Sequence, residues 1–531
     1  MVIDQFINYI IRCYVPELIA DETKILNTSI FREAFTHYSF SKNHKNYERL
    51  EFLGDAVFHV IITEYLFKRY DEENEGFLTK LRIRIERGES MTELTKILDL
   101  GKYIQIYDVQ INNKILEDVF EAFIGAFYIN FGMKYAKQLI ISLIERHNNL
   151  AEMILYDDNY KDLLLRFFHQ MKWGHPIYHN SPHEMNKFIS VVNSPTEELG
   201  RGISSSGNKA EQLASKNALV KLKVIVDGEI DQDWLDKINK HDKNDKNDKN
   251  KKDKNSISTY NSKNKLIRVA DIKNLLLQYN VAVPKGIVIN INYFHEATTH
   301  KSYLLKNKLT KEDKQASKGS VKLQNKSNER LKFFGDAVIH FIISEYLYHK
   351  YSKADEGFLT NLRCKLENGD RLYYLAIKTG ISSYILVSQL IEKLHGRQSI
   401  NIFGAGFEAF IGALLLELGM FTTKQFLLEV IRNELNISVI AETETNYKEL
   451  IQTLFVKNQW GKPVYKVIKE TGPDHSKIFI IGVYKNDTRM GVGKANSKSK
   501  AEQLAAKEMY ADAMNIEFDN KNIDNDKDKV K

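Results

Sequence analysis

Cysteine and long apolar runs are scarce in this sequence of 531 residues. The two cysteines, Cys13 and Cys364, lie far apart and lack the spacing of metal ligands. This excludes a disulfide framework and a zinc site, and it predicts a reducing, intracellular compartment. No run of about 18 apolar residues, the length of a membrane-spanning helix, occurs, and the best candidate, FIGALLLELGM, contains Glu417. The first residues, MVIDQFINYIIRCYV, lack a basic region before an apolar run and predict an amphipathic helix rather than a signal peptide.

The sequence also lacks a large excess of basic over acidic residues. The 76 basic and 69 acidic residues give a net charge of +7, which is compatible with a polyanionic partner without establishing one. Hydrophobic residues make up 43% of the chain, enough for globular cores. The length predicts roughly three or four domains.

A duplicated order of motifs dominates the sequence. Four motifs recur in the same order, two of them 281 residues later and two of them 287 residues later. The pairs are ERLEFLGDAVFHVIITEYLFKRY (48–70) with ERLKFFGDAVIHFIISEYLYHKY (329–351), EGFLTKLR (75–82) with EGFLTNLR (356–363), FEAFIGA (120–126) with FEAFIGA (407–413), and NYKDLL (159–164) with NYKELI (446–451). Constant order and spacing indicate an internal duplication.

Each copy combines a longer helical part with a shorter part of different character. The longer part shows apolar residues at helical spacing, as in VFHVIITEYLF. The shorter part begins with a helix, continues through strand-like runs such as KFISVVN and KIFIIGVY, and ends in an Ala-rich helix. This α-β-β-β-α order is typical of a small RNA-binding module.

Polar segments separate and follow the copies. KHDKNDKNDKNKKDK (240–254) contains seven Lys, four Asp and no apolar residue, which predicts a solvated, disordered linker over 226–263. The tail at 516–531 has a similar composition. Residues 310–327 of the second copy are predicted to be a loop insertion.

Five carboxylates stand at helical spacing in the first copy. Glu48, Glu51 and Asp55 fall within a wedge of about 60° on one helix face, and Asp118 and Glu121 form a second pair on another helix. Solvated helix faces are the alternative explanation, but like charges on one face repel unless a cation is bound. Oxygen-only clusters suit Mg²⁺ or Mn²⁺, which can generate a hydroxide and stabilise an in-line phosphodiester displacement.

These motifs carry a family resemblance. ERLEFLGDAV (48–57) followed by EDVFEAFIGA (117–126) resembles the signature helix of the ribonuclease III family and its partner helix, and AFTHYSF (34–40) resembles the family's AFTHRSY segment. The resemblance covers nearly the whole chain apart from linker, insertion and tail. It implies a mixed, multidomain fold of two all-α ribonuclease III endonuclease domains, each followed by an α-β-β-β-α double-stranded RNA-binding domain.

The resemblance also implies roles for the first copy. Glu51, Asp55, Asp118 and Glu121 would bind the metal, Mg²⁺ or in its place Mn²⁺, with Asp55 and Glu121 the most directly catalytic. Glu48 would complete the catalytic set by shaping the cleft and contacting the RNA backbone. Two further positions lie near this cleft in the family: Glu75, a weaker candidate, and Phe52, which would enter the dimer interface unless it is an ordinary core residue.

The second copy departs from this pattern. Glu329, Asp336 and Glu408 match three of the acidic residues, but Lys332 stands in place of Glu51 and Ala405 in place of Asp118. Lys332 would repel a divalent ion and pair with Glu329 or Asp336. We therefore expect a degenerate, inactive second centre, kept as a dimerisation partner through Phe333.

The two RNA-binding modules differ in quality. The later one resembles the family well, since His475 would reach the minor groove and Lys498 and Lys500 would face phosphates. The earlier one is divergent, because Glu184 stands at the histidine position and Lys209 alone supplies charge. It would bind RNA weakly or contact protein.

The predicted function is a divalent-metal-dependent endoribonuclease that cleaves double-stranded RNA and leaves 5′-phosphate and 3′-hydroxyl ends. The alternative is a non-catalytic protein that sequesters double-stranded RNA. The two nuclease domains would pair within one chain or through a homodimer. No association with a membrane is expected. The expected domains are the catalytic nuclease domain (1–150), the divergent RNA-binding domain (157–225), the linker (226–263), the degenerate nuclease domain (264–440), the second RNA-binding domain (444–515) and the polar tail (516–531).

Overall fold

The structure is a computed structural model. It describes residues 3–527 except for residues 22, 41–44, 149, 151–152, 154–159, 185–186, 227–228, 231–257, 285, 306–310, 444–446, 459, 472–476 and 496. Most of the described chain is helical, with two small three-stranded sheets and one short hairpin. It divides into two compact units, residues 1–434 and 435–531. The predicted mixed, multidomain fold is confirmed.

In the described part of the chain, the first copy begins with a domain of seven α-helices. They are α1 (Ile3–Tyr14), α2 (Thr28–Ala34), α3 (Glu48–Arg69), α4 (Glu75–Ile85), α5 (Gly88–Ile97), α6 (Asn113–Phe131) and α7 (Met133–His147). Helix α3 is buried on most of its circumference and packs along α6. Gly54 makes this approach possible, because a Cβ there would lie 1.8 Å from the carbonyl oxygen of Glu121.

The second copy repeats this domain with additions. Its helices are α10 (Val269–Gln278), α11 (Ile291–Ala297), α12 (Lys311–Ala316), α13 (Glu329–Lys350), α14 (Glu356–Glu367), α15 (Gly369–Lys378), α16 (Gln389–Lys393) and α17 (Ile400–Glu434). Helix α17 packs against α13 as α6 packs against α3. Gly335 repeats the close approach, with a Cβ position 1.8 Å from the carbonyl oxygen of Glu408.

Helix α17 is long and apolar enough, by length and composition, to cross a membrane. It is interrupted at Gly419, whose φ of 75° is non-helical, just as Gly132 with φ of 87° separates α6 from α7. Only glycine adopts such backbone angles without strain. The apolar window is also 61% buried within the protein, which is the pattern of a core helix.

Each copy continues into a small α-β-β-β-α domain. The first has α8 (Tyr160–Gln170), β1 (Ile177–His183), β2 (Lys187–Asn193), β3 (Glu198–Ser204) and α9 (Gly207–Lys221), and the hairpin of β4 (Ile225–Val226) and β5 (Glu229–Ile230) follows. The second, after α18 (Ile437–Thr443), has α19 (Tyr447–Lys457), β6 (Val464–Thr471), β7 (Ile478–Lys485), β8 (Thr488–Ala495) and α20 (Lys498–Lys527). Both sheets are antiparallel with strands in sequence order.

The alanines of the final helices, α9 and α20, have a steric explanation. A Cβ at Gly200 of β3 would lie 2.2 Å from the carbonyl oxygen of Ala214, and one at Gly491 of β8 would lie 2.4 Å from that of Ala505. Strand and helix therefore touch backbone to backbone. Larger side chains on either element would separate the two layers.

Three segments that we expected to be unstructured are partly ordered. The predicted linker 226–263 includes strand β5 and residues 258–263, because the Ser258 hydroxyl and the Thr259 amide donate hydrogen bonds to buried Asp313. Asp313 belongs to helix α12, so the insertion at 310–327 is not a simple loop. In the predicted tail 516–531, α20 continues to Lys527, since neither proline nor glycine interrupts it. Residues 231–257 of the linker lie outside the described residues.

Candidate active site

Two packed helices bring carboxylates of the first copy together. One oxygen each of Glu51 on α3 and of Asp118 and Glu121 on α6 lie within 4.8 Å of one another. Asp118 and Glu121 are only 8% and 7% exposed. We call these three residues the acidic trio. An all-oxygen donor set of this size fits Mg²⁺ or Mn²⁺.

Burial and mutual repulsion strain the acidic trio electrostatically. Burial raises the pKa of Glu51 to about 8, and the negative charge of Asp118 adds to this shift. Burial also raises the pKa of Glu121 well above its usual range, with further contributions from the charges of Asp55 and Glu51. The metal-free cluster therefore retains protons at neutral pH that a divalent cation would displace.

A lysine that was not predicted from the sequence places one positive charge beside the acidic trio. Lys114 Nζ lies 2.8 Å from Asp118 Oδ1, one helical turn away on α6. Burial lowers the pKa of Lys114, but the hydrogen bond and charge of Asp118 outweigh this and raise it. On the other side, the Tyr47 hydroxyl lies 3.5 Å from Asp118 Oδ2. The i, i+4 spacing of Lys114 and Asp118 was a usable signal in the sequence.

The two remaining carboxylates, Glu48 and Asp55, are not part of the group within 4.8 Å and have other contacts. Glu48 exchanges hydrogen bonds with Asn46, accepting from its side-chain amide and donating its backbone N–H to the Asn46 side chain, both at 3.1 Å. Asp55 Oδ2 lies 3.6 Å from His340 Nε2 and 3.6 Å from Arg363 Nη1, both in the second copy. Burial alone would raise the pKa of Asp55, but the contact with His340 and the charge of Arg363 lower it.

The second centre lacks a comparable cluster among the residues that the structure describes. Burial raises the pKa of Glu408 to about 8, the charge of Asp336 adds to this, and Lys332 opposes it. The predicted pairing of Lys332 with Glu329 or Asp336 is wrong: among the described residues, no carboxylate lies within 4.0 Å of exposed Lys332, and Glu329 instead lies 2.9 Å from Lys301. Ala405 offers no ligand atom.

The two nuclease domains pack together within the chain around a pseudo-twofold axis. Helices α3 and α13 contact each other, and the rings of His59 and His340, equivalent positions of the two copies, are 5.2 Å apart. Phe52 lies under the Arg363 guanidinium at 5.0 Å. Phe333 lies under that of Arg82 at 4.7 Å. The structure thus places both phenylalanines at the interface between the domains.

A reciprocal pair of arginines, not predicted from the sequence, holds the same interface. The Arg49 guanidinium donates hydrogen bonds to the backbone carbonyls of Tyr348, Tyr351 and Ala354, where α13 ends. Arg330 does the same to Phe67, Tyr70 and Glu73, where α3 ends. Each arginine therefore adds hydrogen bonds to carbonyls at and just beyond the C-terminus of the opposite helix and lies at the negative end of that helix dipole.

The candidate RNA-binding residues are differently placed. Lys209, at the start of α9, lies 2.7 Å from Glu89 of the first nuclease domain. Lys498 lies 3.0 Å from Glu470 within the second RNA-binding domain, whereas Lys500 is an exposed residue in the first turn of α20. His475 falls outside the described residues.

Comparison with known proteins matches all four domains. Residues 27–147 and 290–435 match the family model described as Ribonuclease-III-like. Residues 160–222 and 447–512 match the model described as Double-stranded RNA binding motif. Each nuclease segment therefore precedes an RNA-binding segment.

Relatives and solved structures extend these matches. A protein of Acanthamoeba polyphaga mimivirus named "Probable ribonuclease 3" is 56% identical over 521 residues, 96% of each chain. The "Ribonuclease 3" of Protochlamydia amoebophila is 38% identical over 182 residues, 34% of this chain and 75% of that protein. The nuclease domain of ribonuclease III from Campylobacter jejuni is 29% identical with a TM-score of 0.25, covering 32% of this chain and 97% of that one. Dicer from Giardia intestinalis is 16% identical with a TM-score of 0.38, covering 73% of this chain and 55% of that one.

The duplicated domain matches and the full-length relative agree with the repeated helices and sheets of the structure. The chain belongs to the ribonuclease III family and is an endoribonuclease that carries double-stranded RNA-binding domains.

Proposed function

We propose that this endoribonuclease cleaves double-stranded RNA at its first centre only, with a divalent metal ion. The observation that carries the proposal is the difference between the two copies. Glu51, Asp118 and Glu121 have ligand oxygens within 4.8 Å of one another, whereas Lys332 and Ala405 replace two of these carboxylates in the second copy.

Glu51, Asp118 and Glu121 would hold Mg²⁺, or Mn²⁺ in its place, and Asp55 would supply a further carboxylate at the edge of the acidic trio. Bound there, the ion would lower the pKa of a water and stabilise charge on the attacking and leaving oxygens. In the hydrolysis a water would add to phosphorus, the bond to the 3′ oxygen would break, and a proton given up by that water would pass to the 3′ oxygen. The products carry 5′-phosphate and 3′-hydroxyl ends.

The second nuclease domain would act as the partner of the first within one chain. Its interface residues Arg330 and Phe333 contact the first domain as Arg49 and Phe52 contact the second. With one working centre, a monomer makes one cut in one strand for each binding event. Cuts in both strands then need a second binding event or a homodimer.

The test is cleavage of a duplex RNA whose two strands carry different labels, in Mg²⁺ and at a protein concentration where light scattering shows a monomer. We expect initial products cut in one strand, a loss of at least about 100-fold on Glu121→Gln, and ends that a 5′-phosphate-dependent exonuclease accepts. Glu408→Gln is the matched control, since it removes the equivalent carboxylate of the second centre.

Two outcomes would contradict the proposal. Binding of the duplex without cleavage in Mg²⁺ or Mn²⁺ would favour the alternative of a protein that sequesters RNA. Equal losses on Glu121→Gln and Glu408→Gln, or simultaneous cuts in both strands by a monomer, would show that the second centre also works.

A further inference from the structure

A histidine and an arginine of the second nuclease domain reach across the interface to the first centre. His340 on α13 and Arg363 on α14 approach the same oxygen, Asp55 Oδ2, each at 3.6 Å. They also contact each other, with Arg363 Nη1 3.1 Å from His340 Nε2. Glu367 holds both from behind, 3.2 Å from His340 Nδ1 and 3.6 Å from Arg363 Nε.

Only part of this arrangement is repeated on the other side of the pseudo-twofold axis. There too the histidine and the arginine contact a glutamate of their own domain, with His59 Nδ1 3.0 Å and Arg82 Nε 3.7 Å from the Glu86 carboxylate. The contact across the interface is what differs. Among the described residues, no cation lies within 4.0 Å of the Asp336 carboxylate, the counterpart of Asp55. The cross-domain contact therefore serves the centre with the acidic trio and not the degenerate one.

Carboxylates that bind metal ions are commonly oriented by outer partners, which fix the free oxygen toward the ion. Among the described residues, no side chain of the first domain hydrogen-bonds to Asp55 Oδ2. The Arg363 side chain beside it is 11% exposed and is held by Glu367 and by the Phe52 ring, whose centroid lies 5.0 Å from the guanidinium carbon. With Oδ2 facing the Arg363 guanidinium and the His340 ring, Oδ1 remains available to the metal.

We propose that Arg363 and His340 of the second domain are positioning residues for Asp55, so that the degenerate domain completes the first centre as well as pairing with it. The inference rests on the proposed function of that centre. It also gives a reason for a degenerate domain to be needed for cleavage beyond the burial of an apolar surface.

Arg363→Gln tests this inference against the mirror variant Arg82→Gln, which removes the same interface cation on the side of Asp336. Binding of Mn²⁺ to the full chain without RNA is measured by electron paramagnetic resonance, and cleavage of a duplex is measured at saturating Mg²⁺. We expect Arg363→Gln to weaken Mn²⁺ binding or to slow kcat by about 10- to 100-fold, with KM for the duplex unchanged. Arg82→Gln should stay within about twofold of the unsubstituted chain, and Arg363→Lys should recover part of the loss.

Thermal melting of each variant separates positioning from folding, and His340→Gln gives a second, smaller perturbation of the same carboxylate. Equal effects of Arg363→Gln and Arg82→Gln on Mn²⁺ binding and kcat would overturn the inference, because both arginines would then serve the interface alone. Unchanged Mn²⁺ binding and kcat in both Arg363→Gln and His340→Gln would overturn it as well. If the unsubstituted chain fails to cleave, the proposed function falls, while the Mn²⁺ measurement still reports on the positioning of Asp55.

Discussion

The contact between α3 and α6 at Gly54 supports a quantitative prediction about the first centre. A Cβ at this position would lie 1.8 Å from the carbonyl oxygen and 2.6 Å from the carbonyl carbon of Glu121. Real Cβ atoms essentially never approach closer than 3.0 Å, so Gly54→Ala must move the two helices apart by more than 1 Å. The displaced atoms are the backbone of Glu121 itself, which carries one ligand of the acidic trio.

Metal sites tolerate ligand displacements of only about 0.2 Å, so a separation of this size should abolish tight binding of the ion. Overpacking of this kind also costs about 1–3 kcal/mol of unfolding free energy, or more where backbone must move. We therefore expect Gly54→Ala to lower the melting temperature and to remove both Mn²⁺ binding and cleavage of duplex RNA.

Gly335→Ala is the matched control for this experiment. Its Cβ would lie 1.8 Å from the carbonyl oxygen of Glu408, so the steric conflict is the same but falls on the degenerate centre. We expect a similar loss of thermal stability with Mn²⁺ affinity close to that of the unsubstituted chain. Wild-type Mn²⁺ affinity in Gly54→Ala, or equal losses of affinity in the two variants, would refute the reasoning.

Three further predictions concern the second centre, proton linkage and the first RNA-binding domain. Lys332→Glu combined with Ala405→Asp should restore the missing ligands and add cuts in the second strand, read on duplexes with differently labelled strands, at a lower rate than at the first centre because Asp336 lacks the cross-domain contact. Because the pKa of Glu51 is raised from 4.5 to about 8, the metal-free folded state binds more protons than the unfolded state between these pH values. The unfolding free energy of the metal-free protein should therefore fall as pH rises through this range. Binding of Mg²⁺ at pH 7 should release protons, which calorimetry in buffers of different ionisation enthalpy measures. Glu89→Ala should free Lys209, but the pair is exposed and contributes at most about 1 kcal/mol, so duplex affinity should rise by about fivefold or less.

Each of these predictions has its own control. Ala405→Asp alone should leave cleavage single-stranded, because Lys332 still faces Glu408, and double cuts by this single variant would contradict the assignment. In Glu121→Gln, Mg²⁺ binding should release fewer protons, and unchanged release would show that the protons come from elsewhere. An increase far beyond fivefold in Glu89→Ala would mean that the contact restrains the whole RNA-binding domain.

The architecture and most of the site could be predicted because the chemistry is local in sequence. Glu51 shares a helix face with Asp55, and Asp118 and Glu121 lie one turn apart, so helical spacing alone grouped them. Helical spacing does not report what faces a helix from outside. Asp55 was therefore assigned to the expected set from its helix face alone, whereas the contacts of its Oδ2 are with His340 and Arg363, 285 and 308 residues later in the chain.

The interface arginines show the same limit in another form. Arg49 and Arg330 occupy the same place in the repeated ERL motif, so the signal was present in both copies. Their targets are backbone carbonyls at the ends of the opposite helices, and a carbonyl carries no side-chain identity by which a sequence pattern could reveal it. Residues 258–263 were misjudged for a related reason. Ser258 and Thr259 are buried where they donate hydrogen bonds to Asp313, which lies in an insertion absent from the first copy, and Asn261 is buried where it bonds to the Val387 carbonyl.

The differences between the two copies of the signature helix sort by the contacts that each position makes. ERLKFFGDAV retains Arg330, which caps α3, Phe333, which packs under Arg82, and Gly335, which touches the backbone of Glu408. The carboxylate lost from this helix, replaced by Lys332, is at the position whose counterpart belongs to the acidic trio. The retained positions serve packing, whereas the lost carboxylate is the counterpart of a member of the acidic trio. The second domain therefore keeps the surface that faces the first centre, and Arg363 lies on that surface.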